Sequence, residues 1–517
     1  MVVDTMADSQ RRGGDVMQFS SNGDAGLHRI DRRTLLGTAG AAALAGALPG
    51  RANAQSSKTG IDAATWTPQY IASIAGTGEY DTAAECAKVV PLNYSGRLTY
   101  WYFGPNQASP QIEHDMDAAF WKTFGETYPN IKVTAQNLDY NQMLDKLRTA
   151  ALGRAAPMVG RLPILWGVEF AAKGQLMALA PPDVGYPEDQ FWPGAIKSVT
   201  WKGKRYGVPT NNETMALIWN AGLFKEAGLD PESAPATWDD LVAYSKQIKD
   251  KTGKNGYGLV ARMNAGNTPF RFMPQVWADG GGALDEAESD PTYKTIEINN
   301  AGSKAALQAS YDMYVRDRSV PVSALTNTQT ENQDPFIAGQ LGMMISHPSE
   351  YAVMLDRAKK ATGDDRKIAD AVVANMRYGL IPKGTVRRSV VFGGSNAHVF
   401  NPDLVDGGLD VQAARALIAF MTGPEWSTKM AWVGSNPGNI RGFRTKWMKQ
   451  RLDTIKFLNV TTSMLPNGVP FPVLPQSAEI MNIIVPGMMQ NALTKKMTVA
   501  AAADDAAKKI KDLLSDL

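Results

Sequence analysis

From Arg97 onward the chain alternates short apolar runs with longer amphipathic ones, the rhythm of strand and helix. Leu98 to Phe103 predicts a strand. A helix follows to Tyr128, entered at Ser109-Pro110, where Ser can cap and Pro fits the first turn; Ile112, Met116, Phe120 and Phe124 share one face. Pro129-Asn130 ends it. Ile131 to Leu138 predicts a second strand, then comes a helix carrying Met143, Leu144, Leu147 and Ala151, then a third strand from Leu162 to Trp166. Strands alternating with helices imply a largely parallel sheet that collects ligands at the carboxyl ends of its strands. Those ends carry Gly104-Pro105-Asn106-Gln107, Asp139-Tyr140 and Trp166-Gly167-Val168-Glu169.

The most patterned stretch is Tyr206 to Gly253. The polar triplet Asn211-Asn212-Glu213 feeds a short apolar strand, Thr214 to Trp219. A helix closed by Gly228, a Pro-bounded turn and a second helix follow. Thr237 can cap the amide of Asp240, and Leu241, Tyr244 and Ile248 make one apolar stripe. A strand ending in Trp-Asn before LFKEAGLD and ATWDDL resembles the signature of the extracellular solute-binding proteins of ABC sugar importers, the family of the maltose-binding protein. The resemblance runs from about 97 to 517 and is most specific here and in the C-terminal run from Pro472.

The resemblance implies an α/β fold of two lobes joined by three hinge crossings, the type II periplasmic binding protein fold. The N-terminal lobe is expected at 97–212 and 397–434 and the C-terminal lobe at 213–396 and 435–517, after an N-terminal arm at 55–96. Glu213, at the first crossing, then lies in the cleft between lobes. Trp166 and Glu169 take aromatic and acidic cleft positions, and Phe270 faces the ligand from a helix that ends in glycines. Trp277, further along that helix, fits cleft or core. His347, Ser349, Glu350 and Tyr351 fall at the cleft mouth. VVFGGSNAHVF, with Gly394 and Asn396, is the second crossover, where glycine lets backbone approach ligand; GSNPGNIRGF, with Arg441, is the third. Two positions depart from the family: Met158 stands where an aspartate is usual, and Ser349 where a tryptophan is. Ala361 to Met376, charged and helical in pattern, looks like an insertion.

At 517 residues the chain exceeds what one core usually supports, which also argues for two lobes. The formal charge is +2, and Lys and Arg are interspersed with acids rather than gathered into a stripe, so nucleic acid is not an expected partner. Residues 1–54 read as a cleaved signal: Arg32-Arg33, an Ala/Gly/Leu run to Leu48, and Ala52-Asn53-Ala54. The paired arginines resemble the twin-arginine export type, an ordinary secretory signal being the alternative; either leads to the periplasm. No later run approaches the ~18 apolar residues of a spanning helix. Cys86 stands alone, without an internal disulfide partner, and is expected to be a small buried residue.

Sugars present flat apolar faces ringed by hydroxyls, so a site needs aromatic surfaces together with carboxylate and amide acceptors. Phe103, Tyr140, Trp166 and Phe270 are candidate platforms; Asn106, Asp139, Glu169, Asn211, Asn212, Glu213 and Asn396 are candidate hydrogen-bonding groups. Arg441 fits a capping or surface role as well as a cleft one; facing inward, it would favour an anionic sugar. The four histidines are far apart and have no metal-ligand spacing, and no nucleophile elbow or P-loop occurs. No catalytic residue, metal or cofactor is therefore expected, although paired carboxylates leave a secreted carbohydrate-active hydrolase as the alternative. The expected protein is a monomeric periplasmic component that closes by hinge motion around a carbohydrate, a mono- or oligosaccharide or a sugar derivative, and delivers it to ABC transporter permease subunits in the inner membrane.

Overall fold

Strand β1 (Gly96–Tyr102) buries every second side chain, Leu98, Tyr100 and Tyr102, as a half-buried strand should. The structure is a computed structural model that describes residues 63–515 except 108, 110, 165, 181–184, 264–266, 286–294 and 432–433. The signal expected at 1–54 lies outside the described residues. The Gln111–Thr127 helix, anchored by Phe120 and Phe124, leads from β1 to β2 (Ile131–Asn137), and the Tyr140–Leu152 helix leads on to β3 (Val159–Pro163). β1 pairs in parallel with both β2 and β3.

The third strand begins and ends three residues before the expected Leu162 to Trp166. Val159 pairs with both Tyr100 and Val399, and the ladder stops at Pro163, so Trp166 stands at the entry of the Gly167–Ala172 helix. β4 (Val208–Glu213) also belongs to this sheet, and after Glu213 the chain leaves it.

β5 (Ala216–Asn220), β6 (Asn255–Tyr257), β7 (Leu341–Ser346) and β8 (Met376–Gly379) build a second, four-stranded sheet in the order β8-β5-β7-β6. Between β5 and β6 the Trp238–Thr252 helix starts with a reciprocal capping box between Thr237 and Asp240 and stops at Gly253, whose φ of 72° suits glycine. The charged segment after 361 is a helix, Gly363–Asn375, leading into β8.

β9 (Gly393–Val399) and β10 (Asn436–Pro437) return to the first sheet, whose full order is β10-β4-β9-β3-β1-β2. β9 runs antiparallel to β3 and β4, and β10 antiparallel to β4. The parallel pattern therefore holds for β1 to β3 and fails at the returning strands: the chain leaves along β4 and comes back along β9 from the same end. β9 lies in the six-stranded sheet from Gly393 and β10 to Pro437, so both return segments extend beyond the expected divisions at 396/397 and 434/435.

The arm, from residue 63, lays Trp66, Ile71 and Ile74 against Trp192, Phe392 and Phe443, beside the second and third crossings. Cys86 is buried, and burial pushes its thiol up to about 12, which makes it an inert core residue. Among the described residues no helix is long and apolar enough to cross a membrane.

Candidate functional site

A cavity of about 270 Å³ lies where the ends of both sheets converge. β1 and the residues after it contribute Tyr102, Phe103, Gly104 and Pro105, and β4 contributes Asn211 and Glu213. From the second sheet come His347 and Ser349, just past the end of β7. The Gln111–Thr127 helix adds Glu113, Met116 and Asp117, and the segment before β10 adds Met430 and Ser435.

Arg161, on β3, organises the floor. Its Nη2 donates to Asn211 Oδ1 at 2.8 Å, Nη1 to the Phe103 carbonyl at 3.2 Å and Nε to Thr210 Oγ1 at 3.3 Å. The guanidinium carbon also lies 5.0 Å from the centre of the Phe103 ring. Asn211 Nδ2 in turn donates to Glu213 Oε1 at 3.2 Å, and Ser435 Oγ donates to the same oxygen at 2.8 Å. Two strands, the residue after β1 and the segment before β10 thus fix one row of polar groups.

A second chain runs along the wall. Trp121 Nε1 donates to the Tyr102 hydroxyl at 3.3 Å, and that hydroxyl donates to Asp117 Oδ2 at 3.0 Å. Asp117 Oδ1 is buried without a partner. Burial pushes the Asp117 carboxyl above its ordinary range, against the Tyr102 hydrogen bond and the Arg161 charge. Opposite, the Ser349 backbone N–H donates to His347 Nδ1 at 3.2 Å. In the neutral ring the proton therefore sits on Nε2, which is buried and has no partner. Both residues line the cavity, Asp117 from the Gln111–Thr127 helix and His347 from just past β7.

Of the residues singled out from the sequence, Phe103, Asn211, Glu213, His347 and Ser349 line this cavity. Others do not. Trp277 is 2% exposed and packs on Phe471, so it is core. Phe270 is half-buried with its ring 5.1 Å from that of Phe471. Glu169 is held by Arg148 and by Lys173, each at 2.6 Å; burial opposes its charge, but these hydrogen bonds keep its carboxyl below the usual range, so it is not an open acceptor. Glu350 is tied to Arg271 at 2.5 Å inside the four-stranded half, and Tyr351 packs on Phe457. Asn212 is spent on the Pro437 carbonyl at 2.9 Å, and Asn396 lies buried beside Ser198. Gly394 serves the backbone: at φ 133° it lies so near β4 that a Cβ would stand 2.1 Å from the Asn211 carbonyl oxygen. Arg441 pairs with Glu85 at 3.3 Å and covers the Tyr80 ring, holding the arm instead of facing ligand. Trp166, Asn106 and the exposed Asp139 follow strand ends without lining this cavity, and Tyr140 opens its helix.

Arg161, Asp117 and Glu113 were not anticipated. The signals were local: Arg161 interrupts the apolar run Met158 to Leu165, and Glu113 and Asp117, four residues apart, share a helix face. Among the described residues no group of three His, Cys, Asp or Glu is arranged to hold a metal.

The sequence model described as bacterial extracellular solute-binding protein matches residues 109–428. A binding protein of Brucella abortus is 24% identical over 397 residues, 75% of this chain and 87% of its own length. The sn-glycerol-3-phosphate-binding periplasmic protein of Pectobacterium atrosepticum is 21% identical over 84% of this chain and 95% of its own. Among solved structures, the cyclic α-maltosyl-1,6-maltose binding protein of Arthrobacter globiformis superposes with a TM-score of 0.67 at 21% identity, over 82% of this chain and 100% of that one. The likeness establishes the two-lobe fold.

Proposed function

Because the chain belongs to the family of bacterial extracellular solute-binding proteins, we propose that it captures a carbohydrate between its lobes, closes over it by hinge motion and delivers it to an ABC permease pair. The observation that carries this reading is the convergence of Phe103, Asn211 and Glu213 from the six-stranded sheet with His347 and Ser349 from beyond the four-stranded one on a single cavity. Phe103 supplies an apolar face, while the amide, the carboxylates and His347 supply what hydroxyls need. At about 270 Å³ the cavity lies near the lower end of the roughly 300–1,000 Å³ typical of ligand pockets, which suits a mono- or disaccharide.

The mature protein works as a periplasmic monomer, reached through the signal at 1–54 by the twin-arginine route, and needs no cofactor. A thermal-shift screen over neutral, amino and phosphorylated sugars tests the reading, since a ligand bound only by the native state raises its apparent stability. Stabilisation with the sugar recovered intact is the expected result. Cleaved product would mean a hydrolase, and stabilisation by sn-glycerol 3-phosphate alone would replace carbohydrate with a phosphoester.

A further inference from the structure

Building on that carbohydrate reading, we propose that the cleft prefers a sugar carrying a protonated amino group to the neutral sugar of the same size, and disfavours a phosphorylated one. Three carboxylates, Glu113, Asp117 and Glu213, border the cavity against one guanidinium, a formal excess of two negative charges. Arg161 is the one cation set against them, and three of its five N–H donors already go to neutral acceptors of the protein. It acts inward, fixing Asn211 and through it Glu213.

The His347 Nδ1 accepts from the Ser349 N–H, and the ring is nine-tenths buried with its Nε2 lacking a protein partner. Asp117 is the counterpart. The Trp121–Tyr102 relay holds its Oδ2, and the buried Oδ1 has no protein donor. A hydroxyl beside this carboxylate leaves its charge uncompensated, whereas a cationic donor offsets it. A phosphate in the same space would meet three like charges, whose repulsion strengthens as closure lowers the local dielectric.

The test is calorimetry on the mature chain with three probes: the β-1,4 disaccharide of glucosamine, the same disaccharide of glucose, which differs in having hydroxyl for amine, and glucose 6-phosphate. We expect the amine to bind at least tenfold more tightly than its hydroxyl counterpart, added salt to erode that advantage, and the phosphate to bind most weakly. In Asp117→Asn, which keeps shape and removes charge, the advantage falls below threefold; Glu213→Gln gives the same reading should Asp117→Asn not fold. Equal affinity for the two disaccharides, or an advantage unchanged in both variants, overturns the amine preference and leaves carbohydrate binding standing. Binding of no saccharide overturns both.

Discussion

Ser435 Oγ donates to Glu213 Oε1 across 2.8 Å, tying the segment ahead of β10 to the residue at which the chain first leaves the six-stranded sheet. That segment is itself pinned from behind. Arg451, fully buried and pulled down to about 9 by that burial, donates to the carbonyls of Thr428, at 3.0 Å, of Ala431, and of Ser435, at 2.6 Å. The Glu213 carboxylate is thus aimed by groups more than 200 residues away in sequence. Ser435→Ala should lower ligand-free stability by about 1 kcal/mol, the net worth of one such hydrogen bond, and also weaken ligand affinity, because Glu213 loses one of the groups that aim it. Calorimetry paired with urea unfolding checks this; lost stability at full affinity would give the hydroxyl a purely structural role.

Glu350 and Arg271 test a different kind of contact. Both side chains are at least nine-tenths buried, 2.5 Å apart, and Arg271 also donates to the Ile345 carbonyl on β7. Removing one partner strands the other charge away from water. Glu350→Ala should therefore cost about 3–5 kcal/mol of unfolding free energy. A loss under 1 kcal/mol would mean that water reaches the guanidinium.

What could be read from the sequence was what is local. A short apolar run gave β1, and the Thr237–Asp240 cap gave the start of one helix, because such signals act within a few residues. The convergence of Asn211 and Glu213 with His347 and Ser349 was reachable through family likeness. Arg161 was not, since it meets Asn211 only after β9, from far along the chain, has inserted between β3 and β4. Trp277 fits cleft or core in the sequence for a related reason: its helix is buried on nearly every face, so no face of it marks the side toward the cleft.

Arg441 illustrates the same limit. Its acceptor, Glu85, belongs to the arm and is 356 residues distant, so no spacing rule announces the pair. Burial works against the Glu85 charge, but the Arg441 and Lys88 hydrogen bonds hold its carboxyl below the usual range. Arg441→Ala should leave sugar affinity within twofold for neutral and anionic ligands alike and lower stability by about 1 kcal/mol, because both partners are partly exposed. A selective loss for anionic sugars would return the residue to the cleft.

His398 should make stability depend on pH. On β9 its Nδ1–H donates to the Tyr206 carbonyl at 2.8 Å, and Nε2 is buried without a partner. Burial, partly offset by that hydrogen bond, pulls the imidazole from 6.5 to about 4. The unfolded chain therefore takes up the proton first on acidification. Stability is full above about pH 6.5 and declines toward pH 4, by about 3 kcal/mol at the end of that window. Chemical unfolding at several pH values measures the decline. His398→Asn, which can keep the donor to Tyr206, should remove this share of it; an identical pH profile in the variant would mean that His398 does not carry the decline.

The second crossing sets the last test, at Gly394. Its φ is 133°, and any Cβ would stand 2.1 Å from the Asn211 carbonyl oxygen and 3.0 Å from the Asn212 Cα, backbone atoms that cannot swing aside. Gly408 provides the comparison, with φ 82° and nothing within 4 Å of an added Cβ. Alanine at 408 meets only the cost of an unfavourable backbone conformation, about 1–3 kcal/mol. At 394 it must also push β9 off β4, moving the strand that carries Asn211 relative to Arg161. Gly394→Ala should thus be the more destabilising in urea and should also lose ligand affinity, whereas Gly408→Ala keeps it. Equal costs with affinity intact in both would mean that the β4–β9 pairing has slack, and the crossing would no longer account for how the row from Arg161 to Glu213 is held in place.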